Sequence, residues 1–349
     1  MKDTLFKMAG LAAAFLLIAG AIVYLDSMKP GKKFSGVSDL SKNHAPDLQV
    51  SGGFINVAPF SLLEHFGKKV ILVDFWTYSC INCQRTIPYL NAWHEKYKDK
   101  GLLIVGVHTP EFEFEKKYEN VEAAVKKFGI KYPVVQDNDY ATWNAYQNRY
   151  WPHKYLIGIG GQVVYDHIGE GGYEETERKI QEALGEQMAI EKPVGVQEVD
   201  FEKVKSPETY FGALRNKNFG SGKPLTKGVF NFSASKVLNS DILYLGGMWA
   251  IEDEYAENKK TGAKISFRYD AKDVYLVANS LDGVTIKILR DGKLVKEAAG
   301  ADVEKDASGE AVIREERLYR LIEGESYGKH LLEIIIESPG LRAFAFTFG

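Results

Sequence analysis

Cysteine is almost absent from this chain of 349 residues: there is Cys80, there is Cys83, and there is no third. Any disulfide within one chain must join these two near neighbours, and closing so small a loop does little to stabilise a fold. The pair is therefore set apart for chemistry. Other absences narrow the field. No block of like charge occurs and the net charge is only −3, so nothing electrostatic invites a nucleic acid. No histidine pair at ligand spacing follows the cysteines, and a zinc site would need two more ligands, so no metal is expected. Internal repeats are missing, and so are long hydrophobic runs, with one exception.

That exception is Met8 to Leu25, an uncharged stretch rich in Ala, Leu and Ile, preceded by Lys2 and Lys7. Its length of about 18 residues is just enough to span a bilayer as a helix. Ala19-Gly-Ala21 also fits a small-residue cleavage site, the mark of a secretory signal. Cleavage there would leave Ile-Val-Tyr-Leu at the new terminus, which favours an uncleaved anchor. Lysines flank both ends and do not settle orientation. Either reading places the remainder outside the cytoplasm, on a cell membrane or released from it.

The rest is globular in composition, 45% hydrophobic and 26% charged, and long enough for about two domains. We divide it into an anchor over 1–28, a polar linker over 29–46, a strand–helix unit over 47–190, a linker over 191–207 and an all-β unit over 208–349. In the first unit Val70 to Phe75 and Leu102 to Val107 read as buried strands. Between them Cys83, Ile87, Leu90 and Tyr97 share one face of a helix with Cys80 at its tip. Val121 to Phe128 predicts an amphipathic helix ending at Gly129, and Tyr140 to Tyr146 a short one. Tyr155 to Ile159 and Gln162 to His167 predict a hairpin, and Glu174 to Leu184 a closing helix. Such alternation argues for a central sheet with helices on both faces. Beyond 207 the period becomes two, in Ile265, Phe267 and Tyr269, in Val284, Ile286 and Ile288, and in Phe344, Phe346 and Phe348. Asp291-Gly292 signals a hairpin turn. This half reads as a sandwich or jelly roll.

Three features sharpen the cysteine pair. Asp74 interrupts an apolar strand, where burial is costly and raises a carboxyl pKa; the alternative is a strand-end Asp in solvent. Pro88 lies within the helix and kinks it. Trp151-Pro152 precedes a strand and would make a tight turn, cis or trans, against the cysteines. Asp74, Trp76, Cys80, Cys83, Pro88 and Pro152 together resemble the thioredoxin pattern. Phe75-Trp-Thr-Tyr-Ser-Cys-Ile-Asn-Cys-Gln-Arg-Thr, Val107-His-Thr-Pro-Glu, Asp137-Asn-Asp-Tyr-Ala-Thr-Trp-Asn and Gly169-Glu-Gly-Gly-Tyr resemble the extracytoplasmic half of DipZ-type thiol:disulfide interchange proteins. The resemblance runs from about residue 45 to the final Arg-Ala-Phe-Ala-Phe-Thr-Phe-Gly.

What it implies is a thioredoxin-like domain of the TlpA/ResA kind, with a central mixed sheet and helices on both faces, followed by a β-sandwich similar to carbohydrate-binding modules. Cys80 would be the nucleophile, its thiolate favoured by the helix dipole. Cys83 would be the resolving thiol, Asp74 its proton acceptor and Pro152 the substrate-positioning residue. Trp76, Tyr78, Trp151 and Glu170 would line the substrate groove, with Arg85, His153 and Glu111 as weaker candidates. No bound cofactor is required. The partners implied are disulfide-containing secreted or envelope proteins, in a role like cytochrome c maturation. DipZ proteins begin with a multi-helix membrane domain; with one hydrophobic segment in its place, electrons would come from a separate membrane donor. Ile81-Asn82 supplies no cation to stabilise a thiolate, which favours a reductant over a strong oxidant. A peroxidase would need a lone peroxidatic cysteine in another loop context. A rival of another class is a binding protein, in which Trp249, Tyr244 and Tyr255 form a platform for a glycan, or the β domain holds a protein ligand. Core packing explains those aromatics equally well.

Overall fold

The computed structural model describes residues 44–349 except 195, 197, 198 and 305–307. The proposed anchor and most of the tether lie outside the described residues. Among the described residues no helix is long and apolar enough to cross a membrane.

In chain order the first unit holds β1 (Gly53–Ile55), β2 (Val70–Trp76), α1 (Ile81–Tyr97), β3 (Leu102–His108), α2 (Tyr118–Lys127), β4 (Val134–Gln136), α3 (Ala141–Ala145), β5 (His153–Ile157), β6 (Val163–Ile168) and α4 (Tyr173–Leu184). The strands form one mixed sheet in the order β1-β4-β3-β2-β5-β6. Central strand β2 runs parallel to β3 and antiparallel to β5. Because it is buried on both faces, its residues sort by the strand period of two. Ile71, Val73 and Phe75 enter a core with Trp143 of α3. Val70, Leu72 and Trp76 enter the opposite core with Cys83, Ile87 and Leu90 of α1 and Ile180 of α4. Asp74 has the parity of the second set, so the sheet directs its carboxyl towards α1. Helix ends follow the expected chemistry: α4 stops at Gly185, whose φ of 70° suits a residue without a Cβ.

The second unit is β-rich: β7 (Thr209–Tyr210), β8 (Gly228–Phe232), β9 (Leu243–Ile251), β10 (Ala256–Asn258), β11 (Ala263–Asn279), β12 (Val284–Arg290), β13 (Lys293–Leu294), β14 (Glu310–Ile313), β15 (Arg317–Ile336) and β16 (Arg342–Phe348). The predicted turn joins β12 to β13, with positive φ at both Asp291 and Gly292. These strands make one hydrogen-bonded network instead of two separate sheets. The reason is the length of β11. Its first half pairs β9 through Lys264–Phe267, and its second half pairs β16 through Val274–Asn279. Irregular register between Ala271 and Tyr275 lets the strand bend as it changes partner.

The repeat Phe344, Phe346, Phe348 is not one inward-facing stripe. Opposite β16 the register shifts between Val277, paired with Ala345, and Ala278, paired with Ala343. Phe344 is thus the bulged residue, and a bulge re-aims its side chain. Phe346 and Phe348 stay in the β core, while Phe344 turns to Phe112 and Phe114 of the first unit, at ring distances of 5.2 and 4.9 Å. Around it the two units share a continuous apolar contact that includes Tyr275, Val277, Leu318 and Ala345. Polar pairs border it: Arg215 and the Tyr210 hydroxyl donate to Glu111 at 2.7 and 2.9 Å, and Lys117 pairs with Glu316 at 2.7 Å.

Candidate active site

Cys80 is the N-cap of α1, with extended backbone (φ −80°, ψ 117°). Its sulfur accepts from the Cys83 backbone N–H at 3.2 Å, filling the place that Ser or Asp usually takes at a helix start. The two thiols are free and their sulfurs lie 2.6 Å apart. Cys80 is half-buried, whereas Cys83 is only 1% exposed, so an incoming group reaches Cys80 first. The Trp151–Pro152 peptide is cis, and the Trp151 carbonyl stands 3.9 Å from the Cys80 sulfur.

The electrostatics differ from the simple helix-dipole expectation. Burial pushes the Cys80 thiol above its ordinary value; hydrogen bonds from Cys83 oppose this, and the carboxylates of Glu111 and Glu208 add to it. Burial, then the neighbouring Cys80, pushes Cys83 further up. The Arg85 guanidinium, which borders the same cleft as Cys80, is committed elsewhere. It grips Glu170 through two bonds of 2.8 and 2.6 Å and donates to Asn82 Oδ1 at 2.8 Å.

Asp74 is 2% exposed, and burial raises its pKa from 3.8 to about 7, against the pull of Lys154. Its Oδ1 lacks a hydrogen-bond partner among the described residues. Lys154, directly across the β2–β5 ladder, is fully buried; its ammonium donates to the Gly169 carbonyl at 2.9 Å, and burial lowers its pKa. Cys83, Asp74 and Lys154 thus form a buried cluster of titratable groups behind Cys80.

Of the four residues expected to line a groove, only Trp151 does, beside Cys80, Asn82 and Tyr150. Trp76 is buried against the edge of His108, since its strand parity sends it into the core. Tyr78 is buried and stacked on the same histidine. Glu170 is held by Arg85 and borders a separate cavity. Of the weaker candidates His153 is structural, bridging Asn148 and Asp166, and the His108 beside Trp76 is kept neutral, its pKa pushed down to about 3 by burial. The aromatics offered as a glycan platform fail as well. Trp249 is fully buried with its indole N–H on the Gly246 carbonyl, Tyr244 is buried, and Tyr255 packs on Phe344.

Sequence reasoning missed two groups. Lys154 carries a signal that could have found it, a charge inside the apolar run His153-Lys-Tyr-Leu-Ile, the same anomaly that marks Asp74. Glu115 carries none. It is fully buried and accepts four bonds, from the Ser79 N–H and hydroxyl at 3.2 and 2.6 Å and from the Glu111 and Phe112 N–H groups at 2.6 and 3.1 Å. It ties the loop ahead of Cys80 to the segment that meets the β-rich unit.

Comparison with known proteins agrees with this geometry. The Redoxin family model matches residues 41–184 and the "Thioredoxin like C-terminal domain" model residues 206–349. Protein DipZ of Mycobacterium bovis is 36% identical over 341 residues, 95% of this chain and 46% of its own length. The chain thus spans about half the length of the DipZ proteins it matches. The thiol-disulfide oxidoreductase YkuV of Bacillus subtilis is 30% identical over 120 residues, covering 34% of this chain and 80% of YkuV. The thiol-disulfide oxidoreductase ResA of Bacillus cereus is 29% identical over 170 residues, 49% of this chain and 87% of ResA. A Redoxin unit with a half-buried cysteine at a helix tip, 30% identical to a YkuV that it covers to 80%, places the chain in the family of thioredoxin-like thiol-disulfide oxidoreductases, with similarity to DipZ running over 95% of its length.

Proposed function

We propose that the chain reduces disulfides of secreted or envelope proteins outside the cytoplasm, tethered by its N-terminal hydrophobic segment and recharged by a separate membrane electron donor. The observation that carries this reading is the asymmetry of the dithiol, with Cys80 reachable and Cys83 buried against Asp74.

The step balances as follows. The Cys80 thiolate attacks one sulfur of the client disulfide; that bond breaks, a mixed disulfide forms, and the departing thiolate takes up a proton. Asp74 accepts the proton of Cys83, whose sulfur then attacks the Cys80 sulfur. The Cys80–Cys83 disulfide forms, the client's second thiolate leaves, and it takes that proton. Two electrons pass from enzyme to client. Pro152 holds the Trp151 carbonyl beside the reacting sulfur, and Trp151 forms part of the client groove.

The reducing direction is supported by electrostatics. Strong oxidants owe their potential to a stabilised reduced form with a low thiolate pKa. Here burial raises the Cys80 thiol and the charge of Arg85 is met by Glu170. The two readings separate in a redox titration: a potential near −270 mV, about that of thioredoxin, is expected, and one near −120 mV, about that of DsbA, would reverse the direction. Cys83→Ser should stall mixed disulfides on Cys80 and identify clients by mass spectrometry; loss of every adduct on adding Cys80→Ser completes the assignment.

A further inference from the structure

The sulfur of Cys80 does not face open solvent. It lies in a cleft of about 450 Å³ between the two domains. One wall comes from the thioredoxin-like unit, through Asn82, Arg149, Tyr150 and Trp151. The other comes from the connecting segment and the β-rich unit, through Phe201, Val204, Glu208, Tyr210 and Phe348. The second wall is held in place by the apolar contact around Phe344 and by the bonds of Tyr210 and Arg215 to Glu111.

Size decides what can enter. A specific interface with a folded partner takes about 800 Å² from each side, laid over a broad surface. A cleft of about 450 Å³ falls instead within the range of small-ligand sites, about 300 to 1,000 Å³. Its character is mixed. Aromatic side chains line it, and its lips carry a cation and a carboxyl group. Arg149 is exposed and has no ion-pair partner among the described residues; Glu208 shares the Tyr210 hydroxyl with Glu111, and desolvation and the Glu111 carboxylate push its pKa up to about 8. An extended peptide, which offers a narrow backbone with charges at intervals, matches these walls.

We propose that the interdomain cleft is the substrate-recognition site and takes a short extended peptide segment bearing the disulfide sulfur, excluding disulfides fixed on the surface of a folded domain. The segment comes from a free cysteine peptide or from a flexible stretch of a larger chain. The proposal rests on the reductase reading and gives the β-rich unit a task within it, as half of the binding site.

The test uses the pre-reduced full chain and one mixed disulfide with glutathione, presented on a short unstructured peptide and on an exposed cysteine of a rigid folded carrier. Oxidised glutathione and hydroxyethyl disulfide are run beside them. The peptide should react roughly tenfold or more faster than the carrier, the ratio that 1.4 kcal/mol of lost contact produces. Phe201→Ala, at an exposed wall position, should lower that ratio. Arg149→Glu and Glu208→Lys should each shift the preference between acidic and basic flanking residues by up to about fivefold, the scale of exposed charge pairs. A faster reaction with oxidised glutathione than with the peptide assigns the free source, and the reverse assigns the flexible chain. Equal rates on peptide and carrier, or ratios and charge preferences untouched by all three substitutions, would overturn the cleft's role. Failure to reduce even hydroxyethyl disulfide would overturn the reductase reading itself.

Discussion

Asp74 shows how one residue can be costly for the fold and useful for the reaction. Its rise from 3.8 to about 7 amounts to on the order of 4 kcal/mol at high pH. The folded state binds this proton more tightly than the unfolded chain does. Between about pH 4 and pH 7 stability therefore falls as pH rises, and above pH 7 the whole cost is present. Asp74→Asn should flatten that profile and unfold at higher urea than the parent at pH 8. The gain should be below the 4 kcal/mol bound, because Lys154 loses its counter-charge. The same substitution should slow resolution of a mixed disulfide by on the order of a hundredfold, the usual worth of a positioned proton acceptor. Urea midpoints at pH 4 and pH 8 that differ equally in parent and variant would show that Asp74 is not the group that titrates.

At the scale of elements, the loop ahead of Cys80 is ordered by a carboxylate from far along the chain. Glu115 meets four donors, and Gln offers them one oxygen and an NH₂ group in place of the second. Glu115→Gln should cost about 1–3 kcal/mol, as a buried donor left unsatisfied does, and should speed or slow alkylation of Cys80 as the loop relaxes. An unchanged melting temperature and alkylation rate would mean that the loop is held by packing alone. The contrast with Asp74 shows what was legible in the chain. Asp74, the strands around it and the helix after Cys80 were readable because each is a local pattern: an acid in an apolar run, a period of two, a period near four. The role of Glu115 depends on a turn meeting another loop 36 positions away, which no local pattern encodes. The misreading of Trp76 and Tyr78 as groove residues has a similar origin, since neighbours of a catalytic cysteine in sequence alternate between surface and core. Phe344 broke its own alternation through a bulge, and bulges leave no signal in a single chain.

For the whole molecule the question is whether the two domains move as one. Relative motion is the default for linked domains unless their interface is substantial and apolar. Here the two kinds of contact differ in weight. An exposed ion pair such as Lys117–Glu316 contributes about 0–1 kcal/mol. Removing a buried phenylalanine ring costs about 3–5 kcal/mol. Phe344, packed between Phe112, Phe114 and Tyr255, should therefore dominate the docking. Phe344→Ala should lower stability by about 3 kcal/mol and free the β-rich unit to swing. Protease should then cut the segment between Leu184 and Thr209 faster under native conditions, and the cleft should lose its preference for flexible over folded disulfides. Lys117→Ala, which removes only an exposed ion pair, should do far less of either. If Phe344→Ala lowers the melting temperature but leaves both the cleavage rate and the substrate preference as in the parent, the domains are joined by something other than this ring. The second wall beside Cys80 would then owe its position to the connecting segment.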